Sequence, residues 1–177
     1  MSQEPGPRPR RWFALRAGAS DWLWLALVVL VLDQLTKRWI IATLELYERI
    51  PVLPILDITH LRNEGAAFSL LADAAGWQRW FFIALALGVC TFILVWLRRL
   101  PARGQARLAS GLALILGGAL GNVVDRALYG NVVDFVFFNW ERWYFPAFNV
   151  ADSAITVGAA LLILDSLAEW RRERRGG

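Results

Sequence analysis

Long apolar stretches alternate with shorter polar segments along the chain, and four of them are of membrane-spanning length. They lie near residues 21–42, 77–97, 106–124 and 150–169. Each contains roughly 18–22 residues with few charges, and a helix rises about 1.5 Å per residue, so each can cross about 30 Å of hydrocarbon. The pattern predicts an all-α membrane protein with four transmembrane helices.

The polar connections between these stretches differ in length and character. Those at 43–76 and 125–149 are long and rich in aromatic and polar residues, and two prolines exclude a continuous helix from the first of them. Within them, DITHLRN at 57–63 and NVVDFVFFNW at 131–140 are runs of β-branched and aromatic residues of strand length. We therefore predict a strand in each of the two connections.

The distribution of basic residues predicts the orientation in the membrane. Arginines cluster before the first stretch, between the second and third, and after the fourth, whereas the two long connections carry few. The positive-inside rule then places both termini in the cytoplasm and both long connections on the outer side. The formal net charge of +4 is explained by this topology and by contact with anionic membrane lipids, so nucleic acid is not an expected partner.

Composition narrows the class of protein. Hydrophobic residues make up 57% of the chain, and one cysteine and one histidine exclude a disulfide scaffold or a metal cluster. The first stretch follows arginines, as a secretory signal would, but it lacks a small-residue cleavage site, so we interpret it as a retained helix. The predicted organisation is a basic cytoplasmic extension at 1–20, one four-helix membrane domain at 21–169 and a basic cytoplasmic tail at 170–177.

Some carboxylates in the apolar stretches have a basic neighbour. Asp33 precedes Lys37 by four residues, the favourable order for an ion pair on one helix face, and we expect Lys37 to extend toward the outer end of that helix. Asp125 is adjacent to Arg126. This pattern indicates structural pairing for Asp33, Lys37 and Asp125. Arg126 could equally hold a lipid phosphate or a backbone carbonyl.

Asp134 and Asp152 are not explained in the same way. Asp134 lies in an apolar run without an adjacent base, where an ionised carboxylate would lose its hydration. Asp152 could complete a helix cap, because Asn149 precedes it by three residues. An ionisable group at membrane depth without a local partner indicates a functional site, and Asp152 is the candidate partner for Asp134. Two carboxylates that share a proton supply an acid and a base, as water-activated peptide hydrolysis requires.

Other functions remain open from the residues alone. A Ser69, His60 and Asp57 triad lacks the strained nucleophile turn, and His60 with Cys90 cannot supply a zinc site. A proton-coupled transporter would place its aspartates in the middle of helices, and a scaffold protein would use them only to fasten helices together. Cleavage of a lipid-modified prolipoprotein would distinguish a peptidase from both.

Four longer sequence blocks carry a family resemblance. They are DQLTKRWI at 33–40, RNEGAAFSLL at 62–71, GGALGNVVDRALYGNVVDF at 117–135 and FPAFNVADSAITVGAALLILD at 145–165. In sequence and order they resemble the lipoprotein signal peptidases, the signal peptidase II family. The resemblance implies a four-helix aspartic endopeptidase of the bacterial inner membrane. Such an enzyme removes the signal peptide from diacylglyceryl-modified prolipoproteins immediately before the lipidated cysteine.

The resemblance also implies roles for individual residues. The family's two catalytic aspartates match Asp134 and Asp152. The polar residues that line the family's site and hold the substrate backbone match Asn63, Gly65, Asn122, Arg126 and Asn149. Asp33 and Lys37 match a first-helix pair whose role is mainly structural. A small outer β-sheet and a short outer helix over the site are implied as well.

The dyad itself leads to expectations about cofactors and partners. Because two carboxylates supply both acid and base, and metal ligands are few, we expect no metal and no organic cofactor. The partners expected are membrane lipids and a lipid-modified prolipoprotein substrate, and the chain is expected to act as a monomer. Each buried methylene contributes roughly 0.8 kcal/mol, so the acyl chains of the substrate should anchor it to the enzyme.

Overall fold

The computed structural model describes residues 19–65, 76–101, 104–140 and 143–176. The helices are α1 (Leu23–Thr43), α2 (Trp77–Arg99), α3 (Ala106–Tyr129) and α4 (Val150–Gly176), and a short 3-10 turn (Ala19–Trp22) precedes α1. The strands are β1 (Arg49–Leu53), β2 (Leu56–Asn63), β3 (Val132–Trp140) and β4 (Trp143–Tyr144). The protein is therefore mostly helical, with one small sheet.

Most predicted elements are present. The four apolar stretches are helices, and the segments predicted as strands are β2 and β3. Helix α4 continues to Gly176 through most of the predicted tail, because the arginines and the glutamate there favour helix. Strand β1 was not predicted, since it contains Pro51, but it is an edge strand with an irregular register at that residue, where proline is tolerated.

The number of transmembrane helices is not settled by length and composition. Helices α2, α3 and α4 are long and apolar enough to cross a membrane. Helix α1 has 21 residues but is not among these candidates, because it carries Asp33, Lys37 and Arg38. Three candidate spans are thus found where the sequence predicted four transmembrane helices.

Helix α3 is central and packs against the other three helices. Its buried face is rich in glycine, and small residues let helix backbones approach closely. A Cβ atom at Gly117 would lie 2.8 Å from the Cβ atom of Val29 in α1, and one at Gly121 would lie 2.5 Å from Asp33 Oδ2. The glycines therefore allow α1, with its charged residues, to pack directly on α3.

Two apolar clusters lie at different ends of the helices. One joins the residues before α1 to the end of α2 and the start of α3, and includes Ala19, Leu97 and Ala109. The other joins the end of α1 to the sheet through Ile40, Leu44, Val133 and Phe135. The sheet therefore covers the end of the helical bundle at which α1 ends and α4 begins.

The sheet is antiparallel, with strand order β1-β2-β3-β4. In the pairing of β2 with β3, Leu61 lies opposite Asp134 and Asn63 lies opposite Val132, so the side chains of Asn63 and Asp134 share one face. The described parts of the two long connections contain strands and turns but no helix, and residues 66–75 and 141–142 lie outside the described residues. The short outer helix therefore stays a prediction.

Candidate active site

Asp134 is placed by strand β3 and is buried, with 3% of its surface exposed. Its Oδ1 accepts a hydrogen bond from Asn149 Nδ2 at 2.8 Å, and its Oδ2 accepts one from Asn63 Nδ2 at 3.2 Å. Burial, and then the nearby negative charge of Asp152, raise the pKa of Asp134 from 3.8 to about 7, although its amide hydrogen bonds and Lys37 act in the opposite direction. Asp134 can therefore hold a proton near neutral pH.

Asp152 lies in the first turn of α4 and forms a reciprocal cap with Asn149. The backbone N–H of Asp152 donates to Asn149 Oδ1 at 2.9 Å, and the backbone N–H of Asn149 donates to Asp152 Oδ2 at 3.3 Å. The predicted capping arrangement is thus confirmed. The second carboxylate oxygen, Oδ1, accepts a further hydrogen bond from Asn122 Nδ2 at 2.9 Å. The cap therefore occupies only one of the two carboxylate oxygens of Asp152.

Asn149 joins the two aspartates. Its Nδ2 donates to Asp134, while its Oδ1 and its backbone N–H hold Asp152. Asn149 is completely buried, so these bonds are shielded from water. Two carboxylates separated by 18 positions in the chain are therefore held on either side of one amide, as the predicted pairing of Asp134 with Asp152 requires.

Arg126 lies beside this pair and contacts the backbone of the β2 end. Its Nη2 donates to the carbonyl oxygen of Gly65 at 2.9 Å, and its guanidinium lies 5.2 Å from the ring centre of Phe82. The N–H of Gly65 donates in turn to Asn63 Oδ1 at 3.1 Å. Of the partners left open by the sequence, the observed one is a backbone carbonyl.

Lys37 is the centre of the second group of carboxylates. Its Nζ lies 2.8 Å from Asp33 Oδ2 and 3.0 Å from Asp125 Oδ2. The predicted pair with Asp33 is confirmed, whereas the expectation that Lys37 extends toward the helix end is wrong, because it is 2% exposed and faces α3. Asp125 forms its ion pair with Lys37 and not with its neighbour Arg126, because helix packing brings a second buried charge within reach.

Asp33 and Asp125 also bind backbone groups next to the other two aspartates. Asp33 Oδ1 accepts the N–H of Ala151 at 2.9 Å, and Asp125 Oδ2 accepts the N–H of Val133 at 3.0 Å. Ala151 and Val133 immediately precede Asp152 and Asp134 in the chain. Asp33 and Asp125 therefore fix the backbone next to Asp152 and Asp134, respectively.

The chain also matches known proteins, and its residues 25–168 fit the family model described as Signal peptidase (SPase) II. That match covers well over half of the chain and contains all the site residues described above. The chain belongs to the signal peptidase II family. As a signal peptidase II it is a hydrolase, and its long apolar helices are those expected of a membrane enzyme.

Curated relatives and solved structures agree with this assignment. The lipoprotein signal peptidase of Shewanella woodyi is 53% identical over 146 residues, covering 82% of this chain and 82% of that protein. The lipoprotein signal peptidase of Pseudomonas aeruginosa strain UCBPP-PA14 is 54% identical over 152 residues, covering 85% and 89% respectively. A bacterial membrane enzyme solved by the in meso method at 2.3 Å resolution is similar at 32% identity, with a TM-score of 0.75 and coverage of 85% and 89%.

Alternative sites in this signal peptidase II are not assembled in the described part of the chain. His60 Nδ1 lies 3.1 Å from the carbonyl oxygen of Leu44, and Asp57 accepts a hydrogen bond from Asn139 at 2.6 Å. Ser69, the third member of the hypothetical triad, lies outside the described residues. No group of three or more His, Cys, Asp or Glu side chains suited to a metal occurs among the residues that the structure describes.

Sequence reasoning missed Gln34, which belongs to the same polar cluster. Its Nε2 donates to Asp125 Oδ1 at 2.8 Å and to the carbonyl oxygen of Gly121 at 3.2 Å. Nothing in the sequence distinguishes Gln34 from an ordinary polar residue next to Asp33. Its partners are 87 and 91 positions away, so only the packing of α1 on α3 identifies it.

Proposed function

We propose that this signal peptidase II is an aspartic endopeptidase that acts as a monomer without a cofactor. It removes the signal peptide from diacylglyceryl-modified prolipoproteins by cleaving before the lipidated cysteine. The observation that carries this proposal is the position of Asn149, which holds the carboxylates of Asp134 and Asp152 on either side of one amide. Family membership supports the substrate class.

The two aspartates divide the acid and base roles. Asp152, at the positive end of α4 and bound by two N–H donors, is the ionised member that takes a proton from the attacking water. Asp134, whose pKa is raised to about 7, keeps a proton and donates it to the oxygen of the scissile carbonyl. When the tetrahedral intermediate collapses, the C–N bond breaks, Asp152 gives its proton to the leaving amine, and Asp134 takes back a proton from the hydroxyl group as the C=O bond reforms.

The substrate backbone is bound by polar groups beside the dyad. Arg126 and the backbone of Gly65 form one side of this region, next to Asn63. Asn122 and Asn149 already direct their Nδ2 groups at the dyad, so their contribution to substrate binding is to fix the carboxylates that meet the scissile bond. Asp33, Lys37 and Asp125 hold the surrounding structure.

The proposed membrane position includes α1 as a fourth span. With 21 residues, α1 can cover about 31 Å, and two of its charges, Asp33 and Lys37, are buried against α3 instead of facing lipid. The side chains on its exposed face include Trp24, Leu27, Leu35 and Trp39. Four spans in the inner membrane would leave both termini and both basic tails in the cytoplasm, with the sheet and the dyad near the outer face.

A cleavage assay tests the function. Purified protein in detergent or bilayers is incubated with a diacylglyceryl-modified prolipoprotein and with the same polypeptide lacking lipid. We expect release of the signal peptide only from the lipidated form, with activity retained after exhaustive chelation. Equal turnover of both substrates would contradict the recognition of lipid, and activity that needed added zinc would contradict a cofactor-free dyad. Proton transport without cleavage would favour a transporter.

A further inference from the structure

Three asparagines around the dyad share one hydrogen-bonding pattern. Each directs its Nδ2 group at a carboxylate: Asn122 donates to Asp152 at 2.9 Å, and Asn149 and Asn63 donate to Asp134 at 2.8 and 3.2 Å. Each also has its side-chain oxygen occupied by a second group. The two carboxylates are therefore surrounded by three asparagine side chains, and both the NH2 group and the oxygen of each are hydrogen-bonded.

The groups that occupy the three amide oxygens can only donate. They are Lys37 Nζ on Asn122 at 3.0 Å, with Asn149 Nδ2 on the same oxygen at 3.4 Å, the N–H of Gly65 on Asn63 at 3.1 Å and the N–H of Asp152 on Asn149 at 2.9 Å. An amide side chain has one acceptor end and one donor end. When a donor fixes the oxygen, the NH2 group must face the other way. Each amide orientation is therefore dictated by its partner.

Asn122 differs from the other two because a side chain, and not the backbone, orients it. Lys37 Nζ carries three N–H donors and has three acceptors in the described structure, namely Asp33 Oδ2, Asp125 Oδ2 and Asn122 Oδ1. The two carboxylates hold the ammonium inside the bundle. Its remaining N–H then points at Asn122 and is the shorter of the two hydrogen bonds on that oxygen, so substitution of Lys37 weakens this orientation.

We propose that Lys37 is a positioning residue for catalysis, because it orients the Asn122 amide so that its NH2 group donates to Asp152. This proposal rests on the proposed peptidase function. A carboxylate that faces a fixed N–H donor is favoured in its ionised form, which is the form that a general base requires. If Asn122 could turn over, its oxygen would face Asp152 and favour the protonated acid.

The kinetic signature of this role differs from that of substrate binding. Lys37 is buried, and in the proposed role it acts on Asp152 through Asn122, so loss of Lys37 should lower kcat and leave KM nearly unchanged. The positive charge of Lys37 also lowers the pKa of Asp134, against the opposing charge of Asp152. Loss of this charge should move the alkaline limb of the pH profile to higher pH independently of the Asn122 orientation.

The experiment is a double-mutant cycle of Lys37→Met and Asn122→Ala, measured with lipidated prolipoprotein. We expect each single variant to lose about 10–100-fold in kcat, the range typical of residues that orient an active-site group. In the Asn122→Ala background, Lys37→Met should cost little more, because its effect passes through Asn122. Additive losses, or a rise in KM alone, would overturn the proposal.

Gln34→Leu is the matched control. Gln34 lies in the same polar cluster on α1 and donates hydrogen bonds to Asp125 and Asp33, but among the described residues it forms no side-chain hydrogen bond with Asn122. We expect it to lower the melting temperature without changing the shape of the pH profile. If Gln34→Leu moved the profile as Lys37→Met does, a general structural effect would explain both and the positioning role would be wrong.

A second variant covers the case in which Lys37→Met does not fold. Asn122→Asp retains an oxygen for Lys37 but has no NH2 group for Asp152, so it should fold, keep its KM and lose kcat. Full kcat in Asn122→Asp would overturn the proposal. The two kinds of failure can be told apart with the unmodified protein. If the proposed function is wrong, it does not cleave lipidated prolipoprotein. If only the positioning role is wrong, it cleaves this substrate normally.

Discussion

Two pairs of aspartates lie in one polar cluster, and they are stabilised in different ways. Asp33 and Asp125 share the cation of Lys37, at 2.8 and 3.0 Å. Asp134 and Asp152 are held by neutral amide donors, and within the described residues no lysine or arginine nitrogen lies within 4.0 Å of either carboxylate. One cation therefore offsets part of the charge of the first pair, whereas the second pair shares a proton in the proposed mechanism.

The difference explains how the same polar cluster can hold both structural carboxylates and the carboxylates of the proposed reaction. A carboxylate paired with a buried lysine has an opposite charge beside it, and breaking the pair leaves an uncompensated charge. Amide donors hold a carboxylate in place without supplying a full charge. Burial can then still raise its pKa, as it does for Asp134. An acid–base catalyst needs carboxylates that are held in position but can still take up and release a proton.

The largest expected effect concerns activity. Asp134→Asn and Asp152→Asn should each reduce cleavage by about 10²–10⁴-fold while the protein stays folded and inserted, because an amide cannot take or give the proton. Signal-peptide release from lipidated prolipoprotein measures the effect. Asp21→Asn, which removes an exposed carboxylate outside the site, is the control and should retain full activity. Near-normal cleavage by either dyad variant would abolish the distinction between the two pairs.

The same substitution in the structural pair should act on stability instead. Asp125 accepts hydrogen bonds from Gln34 and Val133 and pairs with Lys37, so an amide at this position turns its NH2 group toward a donor. We expect Asp125→Asn to lower the free energy of unfolding by about 3 kcal/mol, the scale for a broken buried ion pair. Thermal unfolding in detergent measures this loss. Some turnover should remain in the folded fraction, and its complete absence would show a catalytic role for Asp125.

A pH-dependent contribution to stability is expected from Asp134. The pKa of Asp134 is raised from 3.8 in the unfolded chain to about 7 in the folded protein, so the folded state binds the proton more tightly between these values. The resulting stabilisation is complete below about pH 4 and is lost as the pH rises through about 7. The melting temperature of the wild type relative to Asp134→Asn should therefore fall from acidic to alkaline pH, and a constant difference would contradict the raised pKa.

The smallest effects are expected from glycines. Gly121→Ala places a methyl group 2.5 Å from Asp33 Oδ2 and should cost about 1–3 kcal/mol by displacing Asp33 from Lys37. Gly88→Ala in α2 meets no atom within 4 Å and should stabilise the helix by up to about 1 kcal/mol. Melting temperatures of the two variants give the comparison. Equal stabilisation by both would mean that α1 does not pack on Gly121 as described.

Much of the fold could be predicted from the sequence, and the choice of Asp134 and Asp152 as the catalytic pair stays a prediction. The length of the apolar stretches predicted helices α1 to α4, and the β-branched runs predicted β2 and β3. Asp134 stood out because no base adjoins it, and the spacing of Asn149 and Asp152 predicted their reciprocal cap. The predictions of the helices, the strands and the cap are confirmed because each depends on residues close together in the chain.

The partners of the polar residues were decided by tertiary structure. The sequence showed that Lys37 could pair with Asp33 four residues away, but not that it would reach Asp125 and Asn122 more than 80 positions later. The glycines of α3 let α1 approach closely enough for these contacts, and the contacts then fix which end of Asn122 faces Asp152. Spacing along the sequence determines which side chains lie on the same face of one helix. The orientation of a buried amide depends instead on donors that only the packing of different helices brings to it.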